Sequence, residues 1–251
     1  VYVMATSVSP FWPYPRIVAH RLCGTLAPEN TLAALKKAAS IGVKAVETDV
    51  MLTRDGVAVI SHDPVLGRAV ASDAAVADLT LTDLRELDAG IRFGAAWRGE
   101  KVPLLTEVID FALSHGIFLN LEIKPSSDDL ADATARETVR IVRERFSGVA
   151  QPLISSFSRA ALKAAQTAAP DIPRGLLLEG HVSDWVTTAL TLQVRTVHPD
   201  ASMDAAFAAE AHAHGWGVMV WTIDETDEAR NLLSAGADAL CTNRPDRLFD
   251  L

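Results

Sequence analysis

Residues 43–63 read VKAVETDVMLTRDGVAVISHD, and this stretch decides how the rest of the chain is parsed. The apolar run 43–46 ends in Glu47-Thr48-Asp49, and the next run, 57–60, is closed by His62-Asp63. Between them, Thr53-Arg54-Asp55-Gly56 separates 50–52 from 57–60 and reads as a hairpin turn built on Asp-Gly. Side chains alternate along a strand, so Glu47 and Asp49 face the same way, one pleat apart. Carboxylates and a histidine therefore leave neighbouring strand ends together. Outward from this segment the same position recurs: His20-Arg21 ends the run 17–19, and Glu122-Ile123-Lys124 ends the run 117–121.

From residue 17 onward, short β-type runs alternate with longer stretches of helical period. Strands are expected at 17–19, 45–49, 118–122, 153–155, 175–178, 195–198, 218–221 and 239–242. Helices are expected at 31–41, 105–114, 130–146, 159–168, 184–192, 203–214 and 226–235. Gly42, Gly116, Gly215 and Gly236 each follow a helix and precede a strand, where a left-handed residue closes a helix. Eight strand-helix units predict an α/β fold of the TIM-type (β/α)8 barrel class, and 251 residues fit one such barrel over 16–251. No GxGxxG or GxxxxGK[ST] follows the first strand, which removes the dinucleotide-binding and P-loop versions of α/β. Residues 64–103 lack clear alternation and are expected to form a small insertion after the second strand region, beside the active face. Its runs 82–87 and 93–97 are candidates to shape a substrate opening.

Composition narrows the function classes. An apolar fraction of 49% with 22% charged residues is that of an ordinary globular chain. Lys plus Arg total 23 against 32 Asp plus Glu, a formal charge of -9 with no basic run, which argues against nucleic acid as a partner. No stretch has the length of a membrane span, so no stable membrane anchor is expected. Residues 1–15 hold three prolines and no positive start, and are expected to be a loose arm on a cytoplasmic protein. Cys23 and Cys241 have no metal-type spacing and are expected to be free thiols.

In a barrel of this kind the strands' carboxyl ends share one mouth, and functional groups collect there. His20, Glu47, Asp49, His62, Glu122, Lys124, Ser155, His198 and Trp221 all fall at or just past such ends. Carboxylates of Glu47, Asp49 and Glu122 converging on one point would repel by roughly 4 kcal/mol per pair at about 4 Å and an effective dielectric near 20. A divalent cation relieves that repulsion, and an all-oxygen donor set favours Mg²⁺ or Ca²⁺ over zinc. His20 and His62 near the same mouth can exchange protons as displacement at phosphorus requires. Arg21 and Lys124 can hold phosphoryl oxygens.

Taken together, these residues resemble the glycerophosphodiester phosphodiesterases, in particular the short bacterial cytoplasmic members. The resemblance runs through His20-Arg21, Ala27-Pro28-Glu29-Asn30-Thr31, Glu47-Thr48-Asp49, Thr53-Arg54-Asp55-Gly56, His62-Asp63, Glu122-Ile123-Lys124-Pro125, Trp221-Thr222 and Thr242-Asn243. It implies metal-dependent hydrolysis of a glycerophosphodiester to sn-glycerol 3-phosphate and an alcohol. It also implies Glu47, Asp49 and Glu122 as ligands of one divalent cation, His20 and His62 as the acid-base pair, and Arg21 and Lys124 as phosphate contacts. Trp221 matches a tryptophan of the pocket wall. Where the family has His-Arg-Gly this chain has His20-Arg21-Leu22, so Leu22 must take another backbone path or accept strain. Two alternatives stay open at this point: a lysophospholipase D-like activity at the same site, and a barrel that binds phosphodiesters without turnover.

Overall fold

The computed structural model of the protein describes residues 9–251. Its strands are β1 (Ile17–Ala19), β2 (Ala45–Leu52), β3 (Ala58–Ile60), β4 (Phe118–Ile123), β5 (Leu153–Ser156), β6 (Arg174–Leu178), β7 (Thr196–Pro199), β8 (Gly217–Val220) and β9 (Ala239–Thr242). They form one sheet in the order β1-β9-β8-β7-β6-β5-β4-β2-β3, and an added β1 to β2 pairing closes eight parallel strands into a barrel. The helices are α1 (Leu32–Ser40), α2 (Leu81–Glu86), α3 (Leu105–His115), α4 (Ala131–Arg145), α5 (Arg159–Ala168), α6 (Trp185–Leu192), α7 (Ala205–Ala213), α8 (Thr226–Ser234) and α9 (Pro245–Leu248). This is the (β/α)8 architecture expected from the alternation, with β3 added to it.

Local chemistry sets the element ends. The Thr31 hydroxyl accepts from the Ala34 N–H at 3.1 Å and starts α1, satisfying a donor that the helix itself cannot. Gly116, at φ 65°, turns α3 back and delivers the chain into β4.

The ninth strand follows from how β1 meets β2. Their pairing is a single register pair, Ala19 with Val46, so the edge of β2 beyond that point is open. The hairpin turn at Asp55-Gly56 folds β3 back onto that edge, pairing Val50 with Ile60 and Leu52 with Ala58. On the far side of β3, the Ile60 N–H donates to the Pro103 carbonyl at 3.0 Å, and Val59 bridges Leu104. The Ser61 N–H donates to the Asp49 carbonyl at 3.0 Å, which sets His62 beside the barrel mouth.

Residues 64–103 lie over this hairpin rather than trailing into solvent. Leu66, Val70, Val76, Leu84, Ala89 and Val102 pack on the outward faces of Met51 and Val59 as a small separate core. The helix α2 inside the segment starts with a reciprocal cap between Thr80 and Asp83.

The expected loose arm at 1–15 is corrected for the part that is described, while residues 1–8 lie outside the described residues. Trp12 is 1% exposed and packs on Val18, Ala45, Phe118, Leu153, Met219 and Ala239, most of them at the amino ends of their strands. Its indole N–H donates to the Pro15 carbonyl at 3.0 Å, and Tyr14 stacks on Phe118 with ring centroids 4.3 Å apart. Prolines exclude this segment from helices and sheets, but not from burial. Its aromatic rings cover the apolar layer that the strands' amino ends would otherwise expose. Among the described residues, no helix is long and apolar enough to cross a membrane.

Candidate active site

The inward faces of β2 and β4 carry the acidic cluster. Glu47 and Asp49 alternate inward on β2, and the register places Glu122 directly across from Asp49. One oxygen from each lies within 4.8 Å of the others, and the three residues are 5%, 1% and 8% exposed. Hydrogen bonds hold Asp49 and Glu47 in place. Asn30 Nδ2 donates to Asp49 Oδ2 at 2.8 Å, and Thr48 Oγ1 donates to Asn30 Oδ1 at 2.8 Å, fixing the amide in turn. The Arg21 N–H donates to Glu47 Oε2 at 3.0 Å, and Lys124 Nζ reaches Asp49 Oδ1 at 3.5 Å.

These contacts do not neutralise the cluster. Burial, then repulsion from Asp49 and Glu122, pushes the Glu47 carboxyl well above the usual carboxylate range. Burial and Asp49 push Glu122 up to about 8. Glu47 Oε1 is buried without a hydrogen-bond partner among the described residues. Two acids driven toward protonation and an orphaned buried oxygen are what a site for a hard cation presents when only protein atoms are counted. The donor chemistry fits a divalent ion.

The two histidines are held by unlike partners. His20 Nδ1 donates to Asn243 Oδ1 at 2.7 Å, and that amide is oriented by Asp224, which accepts from its side chain at 3.1 Å and from its backbone N–H at 2.7 Å. Nε2 is left facing the acids, 3.9 Å from Glu47 Oε2. Burial, then the Arg21 charge, pushes His20 down to about 4, against the hydrogen bond with Asn243. His62 Nδ1 donates instead to a carboxylate, Asp63 Oδ1 at 2.7 Å. Burial lowers His62 as well, opposed by Asp49.

A pocket of about 130 Å³ joins these parts, with His20, Arg21, Glu47, His62, Glu122 and Lys124 on its polar side. Trp221 and Phe157 also line it, edge to face with centroids 5.4 Å apart, and the Trp221 indole is pinned by donating to the His198 carbonyl at 2.9 Å. Seven of the eight residues singled out for the site line this space, and the eighth, Asp49, joins it through the acid cluster and Lys124. His198 and Ser155, also at strand ends, do not line it. His198 is buried, bonded to the Thr196 hydroxyl at 2.9 Å and pushed down to about 3 by burial. Sequence reasoning assigned no role to Phe157, Asn30, Asn243 or Asp224. Asn30 and Asn243 did stand inside quoted motifs, whereas Phe157 and Asp224 gave no sequence signal.

The loop carrying His20 takes the strained of the two paths open to it. Arg21 and Leu22 have φ of 50° and 77°, both in the left-handed region, and the Leu22 side chain is wholly buried. Gly24 follows at φ 60°, where a Cβ would come within 2.1 Å of the Asn243 carbonyl oxygen. The loop and the residue that orients His20 are thus in backbone contact.

The sequence profile of the Glycerophosphoryl diester phosphodiesterase family matches residues 20–247. A glycerophosphodiester phosphodiesterase of Caldanaerobacter subterraneus subsp. tengcongensis is 32% identical over 237 residues, covering 94% of this chain and 96% of that protein. One from Bacillus subtilis is 28% identical, covering 91% of this chain and 83% of the relative. A phosphodiesterase of Oleispira antarctica, solved in complex with the product sn-glycerol-3-phosphate, superposes with a TM-score of 0.89 at 34% identity, covering 94% of this chain and 96% of that one.

Proposed function

The chain belongs to the glycerophosphodiester phosphodiesterase family and is a phosphoric diester hydrolase, and from that premise we propose how its own residues divide the work. The substrate is a glycerophosphodiester, and the products are sn-glycerol 3-phosphate and an alcohol. The convergence of two differently partnered histidines, two bases and a buried acid cluster on one pocket carries this reading.

Glu47, Asp49 and Glu122 would hold one divalent cation, Mg²⁺ or Ca²⁺. Such an ion supplies charge neutralisation at a phosphoryl oxygen. Arg21 and Lys124 bind the remaining phosphoryl oxygens, Arg21 through its planar fork and Lys124 as a point charge. His20, whose Nδ1 proton is committed to the neutral amide of Asn243, keeps a lone pair on Nε2 and takes the proton of the attacking hydroxyl. His62, whose partner is the Asp63 carboxylate, better tolerates the imidazolium form and gives a proton to the departing alkoxide. Trp221 and Phe157 line the carbon side of the substrate. We place the enzyme in the cytoplasm, a reading supported by its two free buried thiols.

The test is turnover of glycerophosphocholine by the purified, cation-supplied protein, with release of choline and sn-glycerol 3-phosphate. His20→Ala and His62→Ala each lose about 10²- to 10⁴-fold in kcat. Wild-type rates in either variant would falsify the acid-base assignment. A preference for lysophosphatidylcholine over glycerophosphocholine would replace the substrate reading with the lipid one.

A further inference from the structure

Arg68 belongs to the segment laid over the hairpin, not to the barrel. It sits in a loop closed by the Val65 to Ala75 bridge and by the Leu66 N–H donating to the Ala74 carbonyl at 2.9 Å. Leu66 and Val70, on either side of it, are 7% and 5% exposed and anchor the loop in the small core on Met51 and Val59. From this base the guanidinium reaches back to the barrel mouth. Its Nη2 donates to Asp63 Oδ2 at 2.7 Å and to Glu29 Oε1 at 2.8 Å, and its Nη1 donates to Glu29 Oε2. Nη2 also lies 3.5 Å from His62 Nδ1.

Both carboxylates are shared. Asp63 gives its other oxygen, Oδ1, to His62 Nδ1 at 2.7 Å. Glu29 also accepts from Arg21 Nη1 at 3.2 Å on each oxygen. An unbroken line therefore runs Arg21, Glu29, Arg68, Asp63, His62, joining the phosphate-binding side of the pocket to one proton-transfer group. Asp63 follows His62 directly in the chain, and its side chain is 29% exposed. A half-open loop carboxylate has little reason to keep one rotamer. Its second oxygen has Arg68 as its side-chain partner among the described residues. A planar fork bonded to two carboxylates at once restricts both.

We propose that Arg68 is a positioning residue for the reaction: by holding Asp63, it fixes the ring of His62 for proton transfer, so the segment 64–103 is a working part of the active site. This rests on the reading of His62 as a proton-transfer group. That reading can fail separately, through wild-type turnover in His62→Ala alone.

The experiment is a kinetic cycle on the cation-supplied enzyme with glycerophosphocholine as substrate. Arg68→Met keeps most of the side chain's length and removes its fork. It lowers kcat by about 10- to 100-fold, the scale of a misplaced catalytic group, with KM changed by less than about threefold. Arg68→Lys, which restores the charge but not the double contact, recovers part of the loss. In a His62→Ala background the Arg68→Met change costs less than about twofold, because a residue acting through His62 has nothing left to act on. Should that residual rate be too slow to measure, the ¹⁵N spectrum of the imidazoles decides. At a pH where the ring is neutral, His62 holds its proton on Nδ1 in the wild type and divides it between the two nitrogens in Arg68→Met. Equal losses in both backgrounds, a wild-type tautomer in the variant, or unchanged kcat would each overturn the proposal.

Discussion

Leu22 combines a backbone that suits glycine with a side chain that suits the core. Its φ of 77° costs about 1–2 kcal/mol for an L-residue, while its burial is complete. Truncating a buried leucine costs about 2–5 kcal/mol, so packing outweighs strain. Leu22→Gly is therefore expected to destabilise the protein by about 1–3 kcal/mol despite relaxing the backbone, read as a lower urea midpoint. A rise in stability would mean that strain dominates. At this scale the acids and histidines were legible, because strand-end position fixes where such side chains go. The supports of His20 were not: Asn243 lies 223 positions away, and no local spacing foretells that contact. Asp224 is further from view still, since it reaches His20 only through Asn243.

Among the elements, β2 departs most informatively from expectation. It runs through Leu52 rather than stopping at Asp49, because its last residues leave the ring and pair with β3. The Asp-Gly turn made that hairpin readable, but not the strand's double membership, which depends on β1 touching β2 at one pair only. Segment 9–15 was misread for a related reason. Proline content describes what a backbone cannot do and says nothing about an uncovered apolar layer elsewhere. Trp12 fills that layer. Trp12→Ala is expected to cost about 3–5 kcal/mol in denaturant unfolding, the usual range for emptying a buried large aromatic site, with the loss falling on stability rather than on kcat. A change under about 0.5 kcal/mol would show the segment to be dispensable.

For the molecule as a whole, the acid cluster contributes a dependence of stability on pH opposite in sign to that of the buried histidines His20 and His198. Glu122 rises from an ordinary value of 4.5 to about 8 in the folded protein, and Glu47 moves the same way. In the unfolded chain both lose their protons near 4.5. Between there and about 8 the metal-free folded state still holds the Glu122 proton, and Glu47 acts in the same direction, so the unfolded state binds fewer protons and the acids' contribution to stability falls as pH rises. A bound divalent cation replaces those protons and removes the dependence. The buried histidines His20 and His198, pushed down to about 4 and about 3, act the opposite way up to about 6.5. Thermal scans of chelator-treated protein should therefore show Tm falling from about pH 6.5 toward pH 8, while cation-loaded protein shows a widening advantage over the same range. A gap independent of pH would rule out burial and repulsion as the origin of the raised values. The barrel itself was readable from the repeat of strand and helix, because each unit obeys the same local rules. How the insertion meets the mouth was not, because that depends on Arg68 finding carboxylates from two other loops.

The ninth strand has one further consequence. Eight strands pair around the ring, and the outer edge of β3 is occupied by residues 103–104, so among the described residues the sheet leaves no long row of unpaired N–H and C=O groups facing outward. Such rows are where a second chain adds itself as an extra strand, and where fibrils begin. Folded copies at high concentration therefore lack a template for joining sheet to sheet. Any association between them has to use helical faces or loops, and strand addition becomes possible only after the contact of β3 with residues 103–104 has opened.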